Sequence, residues 1–149
     1  MRDSDNPVGS APCSRPHKEF AHAVILVNGA YVLQLRDDIP GIAYPGMWTL
    51  FGGALEPQEE SEAGVRREIM EELNIMPSGW RFLWRLDRFS EFWRVPVRHW
   101  FFVVDATAEW PSHIVREGQG AGLFRIDELP GRLVPLAREA IHQHSRDSA

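Results

Sequence analysis

GGALEPQEESEAGVRREIMEELNI, residues 52–75, combines two glycines, a proline and an acidic run suited to a helix. Residues 61–73 contain no Pro and are rich in Glu, Arg, Leu, Ile and Met, which lose little rotamer freedom in a helix. Pro57 precedes that run, where a helix tolerates it. Asn74 follows it, and Asn readily takes the left-handed conformation that ends a helix. At about 100° per residue, Val65, Ile69 and Leu73 form one apolar stripe. Glu68, Glu71 and Glu72 fall on the adjoining arc. Gly64 lies in that arc as well, so nothing bulky is expected one turn before the carboxylates.

Spacings of three and four residues let Glu68, Glu71 and Glu72 point at one place. Carboxylates held that close repel one another unless cations lie between them. Hard oxygen donors suit Mg²⁺ or Mn²⁺, and Mg²⁺ usually completes its shell with water and substrate phosphate. Such an ion would acidify a bound water and offset phosphate charge, and one glutamate could serve as general base. Taken alone, an acidic helix is ordinarily a solvated face. Here the acids stand at fixed distances from Gly53, Glu59 and Arg67, which a merely solvated face does not require.

That spacing resembles the Nudix box of the Nudix hydrolases, a family that cleaves nucleoside diphosphates linked to another group. The match runs over Gly53, Glu59, Arg67, Glu68, Ile69, Glu71, Glu72 and Ile75. Asn74 stands where the family usually has Gly, a mild departure given the capping argument. Gln58 and Phe51 replace a common Gly and a common Pro. The resemblance implies that Glu68, Glu71 and Glu72 hold metal, and that Arg67 pairs with Glu59 to brace loop against helix. It implies an α/β fold, the Nudix-type α/β/α sandwich with a mixed β-sheet between helices.

Composition agrees with one ordinary domain: 149 residues, 44% hydrophobic and 25% charged. A net charge of −5 argues against stable nucleic-acid binding. One cysteine, Cys13, permits no intrachain disulfide and suits a reducing, cytoplasmic setting. No apolar run reaches the roughly 18 residues of a membrane helix, so no membrane partner is expected. Residues 1–18, rich in Pro, Ser and charge, lack an apolar signal core and are expected to form a flexible arm. Residues 19–146 are expected to form the single domain.

Around the box, Phe20–Val27 and Tyr31–Arg36 flank Asn28-Gly29 and read as a hairpin. A long loop, 37–47, leads to a short strand over Trp48–Phe51, with Trp48 expected in the core rather than against a ligand. Gly52 and Gly53 allow close backbone approach to a substrate. Residues 80–86 alternate as a strand and 87–96 read as a loop carrying Phe92, Trp93 and Arg94, candidates for nucleotide stacking or a dimer contact. Val97–Val104 suits a buried central strand. A glycine-rich loop contains Glu117, a last strand covers Leu123–Ile126, and an amphipathic helix closes the chain. His142 and His144, near that helix's end, suit its dipole rather than a metal.

By the resemblance, Arg36 is a basic residue placed to meet substrate phosphates, and Glu117 matches a further catalytic acid that many Nudix enzymes carry in a late loop. The implied activity is Mg²⁺-dependent cleavage of a pyrophosphate bond in a nucleoside diphosphate derivative. Family sub-signatures for ADP-ribose, dinucleoside polyphosphates and NADH are missing. Ser90 and Glu91 stand where an ADP-ribose enzyme carries Pro, no Tyr follows Tyr44, and no Ser-Gln-Pro-Trp segment occurs. Nucleotide sugars and modified nucleoside triphosphates remain. The rival class is a module that senses a nucleotide without cleaving it, but such modules typically lose box carboxylates, and here they are intact. The many aromatic residues are also consistent with a homodimer.

Overall fold

The computed structural model describes residues 18–148. The arm expected over 1–18 therefore lies outside the described residues except for Lys18, which opens the first strand. Strand β1 (Lys18–Val27) turns through Asn28 and Gly29, at φ 50° and 81°, into β2 (Ala30–Leu35). Two successive left-handed residues match the twist of the flanking strands, as the Asn-Gly pair predicts.

The stretch read as one strand over Trp48–Phe51 is two. β3 (Trp48–Thr49) pairs with β2, whereas β4 (Phe51–Ala54) pairs with β1. Buried Leu50 lies between them as the chain changes partner. Helix α1 spans Ser61–Leu73, the predicted extent, and Asn74 closes it at φ 58° with its N–H donating to the Met70 carbonyl.

β5 (Arg81–Ser90) and β6 (Val95–Asp105) are longer than the sequence suggested, so the expected 87–96 loop shrinks to a turn. Antiparallel pairing runs on to Ser90↔Val95, and Asp87 is clasped by Arg98 across the strands. The alternation read over 80–86 also fails as a single face, because a bulge interrupts the register between Phe82 and Trp84. Trp80 sits outside β5, buried, its indole N–H donating to the Pro77 carbonyl. β7 (Gly120–Phe124) begins inside the glycine-rich segment and pairs with β2. Helix α2 (Pro135–Ser148) ends the described chain.

The sheet follows the order β3-β2-β1-β6-β5, with β4 also on β1 and β7 also on β2. β1 and β6 run parallel while the other pairs are antiparallel, so the sheet is mixed. Period-two alternation gives it two apolar faces. Ala21, Ala23, Ile25, Phe102 and Val104 meet the Val65–Ile69–Leu73 stripe of α1. Val24, Leu33, Phe101 and Val103 meet Ala137, Ala140 and Ile141 of α2. The sheet thus lies between helices. Each of the three stripe side chains is fully enclosed, and each contributes on the order of 1.5–3 kcal/mol by leaving water.

His144, read as suiting the helix dipole, also has a tertiary partner. It is buried, and its Nδ1 lies 2.8 Å from the Tyr31 hydroxyl. Tyr31 and α2 are thereby joined by a hydrogen bond inside the apolar layer.

Candidate active site

Backbone geometry fixes the start of the site. Gly52 has φ 150°, and a β-carbon there would lie 2.2 Å from the Ala21 carbonyl oxygen. At Gly53 the constraint differs: a β-carbon would lie 2.5 Å from the Glu68 carboxyl group. The missing side chain of Gly53 is the space Glu68 occupies. Gly64 does not clear room for the carboxylates, as its place on the helix suggested. A β-carbon there would strike Leu55 at 2.3 Å and approach Glu59 at 3.1 Å, so Gly64 seats the loop against the helix.

Arg67 ties loop and helix together. Its Nε and Nη2 donate to the two Glu59 oxygens at 2.8 and 2.9 Å, a bidentate fork. The guanidinium, and next the backbone N–H of Glu56, hold the Glu59 carboxyl at about 2, well below the usual carboxylate range. Nη1 of Arg67 reaches Glu68 at 3.0 Å and Glu71 at 3.3 Å.

Glu72 is 4% exposed and accepts the Gly52 N–H at 3.1 Å. Burial first, then the charges of Glu117 and Glu68, push its carboxyl up to about 9. Burial likewise raises Glu68. Glu117 arrives from the opposite side of the sequence, and its loop is well anchored. The Arg116 N–H donates to the Glu72 carbonyl, Gln34 Nε2 to the Glu117 carbonyl, and Gln119 Nε2 to the Arg36 carbonyl. Glu68, Glu72 and Glu117 are therefore brought within electrostatic reach of one another. Glu71 stands to the side, its side chain 57% exposed beside Arg67.

Among the described residues no three acidic, His or Cys side chains stand together in ligating geometry. The chemistry of the donors nevertheless suits a hard divalent cation. A buried carboxyl group with one N–H donor and two acidic neighbours keeps its charge only beside a positive ion. Glu68, Glu72 and Glu117 are the oxygen donors that could face one.

A cleft of about 650 Å³ has Glu117, Gly52 and Gly53 on its wall, while Glu68 and Glu72 do not line it. Arg36 lines it too, although its Nε is engaged by the Ala43 carbonyl at 2.7 Å. Phe92 and Trp93 line it as well, each 46% exposed, and Lys18 Nζ sits 4.4 Å from the Trp93 ring. Trp48 does not line it and packs edge-on against Phe124, as expected of a core residue. The sequence reading passed over Phe20, His22, Gln34, Arg88 and His99, which also face the cleft. A signal existed for the histidines: each interrupts an otherwise apolar strand face.

Comparisons with known proteins agree with this architecture. The family model described as the NUDIX domain matches residues 17–144. A nucleoside triphosphatase, NudI, from Enterobacter sp. is 48% identical over 50 residues, 34% of this chain and 35% of that protein. The chain thus matches about a third of the length of that curated relative. The crystal structure of a MutT NUDIX hydrolase from Burkholderia pseudomallei superposes with a TM-score of 0.72 at 26% identity, covering 85% of this chain and 96% of that one. A MutT protein from Methanosarcina mazei shares the fold at a TM-score of 0.76 and 20% identity, over 92% and 99% of the two chains. Nudix enzymes generally use divalent metals, in keeping with the donor set. With the model match spanning the sheet, both helices and the carboxylate-bearing loops between them, this chain belongs to the Nudix family.

Proposed function

We propose that this protein is a Mg²⁺-dependent pyrophosphohydrolase of a nucleoside diphosphate linked to another group. The observation that carries this reading is the approach of Glu68 and Glu72 to Glu117, which with Gly52 and Gly53 lines an aromatic cleft. Glu68 and Glu72 would hold the ion, with the more exposed Glu71 joining them from the side. When bound, Mg²⁺ would offset phosphate charge and make a coordinated water more acidic. Mn²⁺ would serve the same donors.

Of the three converging acids, only Glu117 lines the cleft itself. We assign it the proton-accepting role. Water attacks one phosphorus as Glu117 takes its proton, and the bridging oxygen departs with the other phosphate. Gly52 and Gly53 allow the phosphates close to the backbone, and Arg36 supplies positive charge on the same wall. Arg67 and Glu59 act through position, holding Glu68 and the loop. The stretch shared with NudI favours a nucleoside triphosphate, ordinary or modified, over a nucleotide sugar.

The test is a nucleotide panel incubated with Mg²⁺ and read for released phosphate or pyrophosphate. Glu72→Gln, Glu68→Gln and Glu117→Gln are expected to lower turnover by several powers of ten while far-UV dichroism is retained. Wild-type rates in Glu72→Gln or Glu68→Gln would refute the assignment. Calorimetry with and without Mg²⁺, beside the release assay, separates cleavage from binding alone.

A further inference from the structure

We infer that two copies of this chain join along the outer edge of β5, in one register, so that the sheet runs on from one copy into the other. The sheet order ends at β5, so no strand lies beside its outer edge among the described residues. β5 has ten residues, none of them buried. At the opposite end of that order the outer strand, β3, has only two. A long open edge presents a row of backbone N–H and C=O groups able to pair with another strand. Phe82 and Phe89, 52% and 50% exposed, add apolar surface to it.

Bulges and charges ordinarily discourage edge pairing, and on β5 neither does so fully. The bulge lies between Phe82 and Trp84, which leaves Trp84–Ser90 regular. Charges on that stretch have both signs, and their spacing makes the strand complementary to itself. Arg85 and Asp87 share one sheet face, opposite Trp100 and Arg98 of β6. Trp84, Leu86 and Arg88 share the other face, opposite Phe101, His99 and Val97.

A twofold axis perpendicular to the sheet keeps each face continuous across the join, so residues opposite one another come from the same face. The axis therefore passes through a residue. At Arg85, Asp87 or Arg88 the central pair is like-charged, which is destabilising. At Trp84 or before it, the bulge falls inside the pairing. At Phe89 or Ser90 the turn over 91–94 ends the pairing almost at once. Only Leu86 remains. There Leu86 meets its own copy, Arg85 faces Asp87 in both directions, and Trp84 faces Arg88, a cation–π pair. Each Asp87, fixed by Arg98 at 2.9 and 3.1 Å, then lies between Arg85 of its own strand, 2.9 Å away, and Arg85 of the other. Phe89 of each copy comes to the Phe82–Leu83 end of the other. Because Arg88 lines the cleft, the join also braces one of its walls.

Sedimentation velocity of the full chain between about 1 and 300 µM, the range in which a small interface associates, is expected to show a reversible monomer–dimer equilibrium. A monomer throughout that range overturns the inference. Two variants test the register. Arg85→Asp sets acid against acid across the join, and Asp87→Arg sets base against base, so each alone is expected to sediment as a monomer. Mixed in equal amounts they are expected to form a heterodimer, because every acid then faces a base. A dimer that survives Arg85→Asp, or a mixture that stays monomeric while both variants unfold cooperatively, overturns the inference. Asp87→Arg loses the Arg98 clasp, so a second measurement covers its failure to fold. In a Cys13→Ser background, Leu86→Cys places two thiols at the axis, where opposite Cβ atoms lie about 4.5–5.5 Å apart, close to what a disulfide needs. Mild oxidation is expected to link Leu86→Cys into a covalent dimer and to leave Phe89→Cys, more exposed but three residues from the axis, unlinked. No link through Leu86→Cys, or an equal one through Phe89→Cys, overturns the register.

Discussion

Replacing Gly53 with Ala should separate catalysis from folding. The added methyl would lie 2.5 Å from the Glu68 carboxyl carbon and from Oε1. Ordinary contact needs about 3.4 Å or more, so the carboxylate must retreat by roughly 1 Å. The obstacle is the far end of a flexible side chain, so rotamer adjustment relieves it at a cost of about 1 kcal/mol. Displacement of a reacting or ligating group by about 1 Å costs on the order of 100-fold in rate. Gly52→Ala is the control. There the methyl would meet backbone, the Ala21 carbonyl at 2.2 Å and the His22 Cα at 2.8 Å, from a backbone at φ 150°. Neither can move without shifting β1, and the expected loss is about 3 kcal/mol or more. Urea unfolding gives the stabilities and nucleotide hydrolysis with Mg²⁺ gives the rates. Gly53→Ala with wild-type turnover, or as destabilised as Gly52→Ala, would refute the claim that this glycine exists to house Glu68.

Three further outcomes follow from the same geometry. Glu72 is raised to about 9 from an ordinary 4.5, so the folded metal-free protein holds its proton more tightly than the unfolded chain. Stability should accordingly decline as pH rises from 4.5 towards 9, and Glu72→Gln should flatten that decline in thermal melts without Mg²⁺. His22 and His99 act in the opposite sense, because the unfolded chain protonates near 6.5 while the folded imidazoles stay neutral to about 3 and 4. Acidification below 6.5 should therefore destabilise the protein, and His99→Phe should reduce the slope measured by urea unfolding between pH 6.5 and 4. Gln58 sits at φ 65°, a conformation costing a side-chain-bearing residue about 1 kcal/mol. Gln58→Gly should leave stability level or raise it by up to about 1 kcal/mol, whereas a larger loss would mean the Gln58 side chain has a role of its own.

Much of this protein is written in short-range chemistry. Helix α1, its apolar stripe and its Asn74 cap depend on residues within one or two turns of each other, and the 61–73 reading needed nothing else. The Asn28-Gly29 hairpin is equally local, since two left-handed residues suffice to set the turn. The Arg67–Glu59 clasp was expected from the family resemblance, and the two residues are only eight apart in the chain. Even the departures at Gln58 and Asn74 were visible in sequence, and both turn out to take the left-handed backbone a glycine would adopt.

What needed the tertiary structure is whatever depends on which strand lies beside which. The lengths of β5 and β6 are set by their pairing and by Asp87 and Arg98 across it, and no local breaker announces that turn. Glu117 meets Glu72 only because Gln34, Arg116 and Gln119 pin its loop to β2 and to the end of α1. Period and spacing placed Glu71 with Glu68 and Glu72, but they do not say that Glu71 will stand more exposed than Glu68 beside Arg67. His22 and His99 are 77 residues apart. Only the parallel pairing of β1 with β6 makes them neighbours, and only burial of both keeps them neutral enough to share a proton.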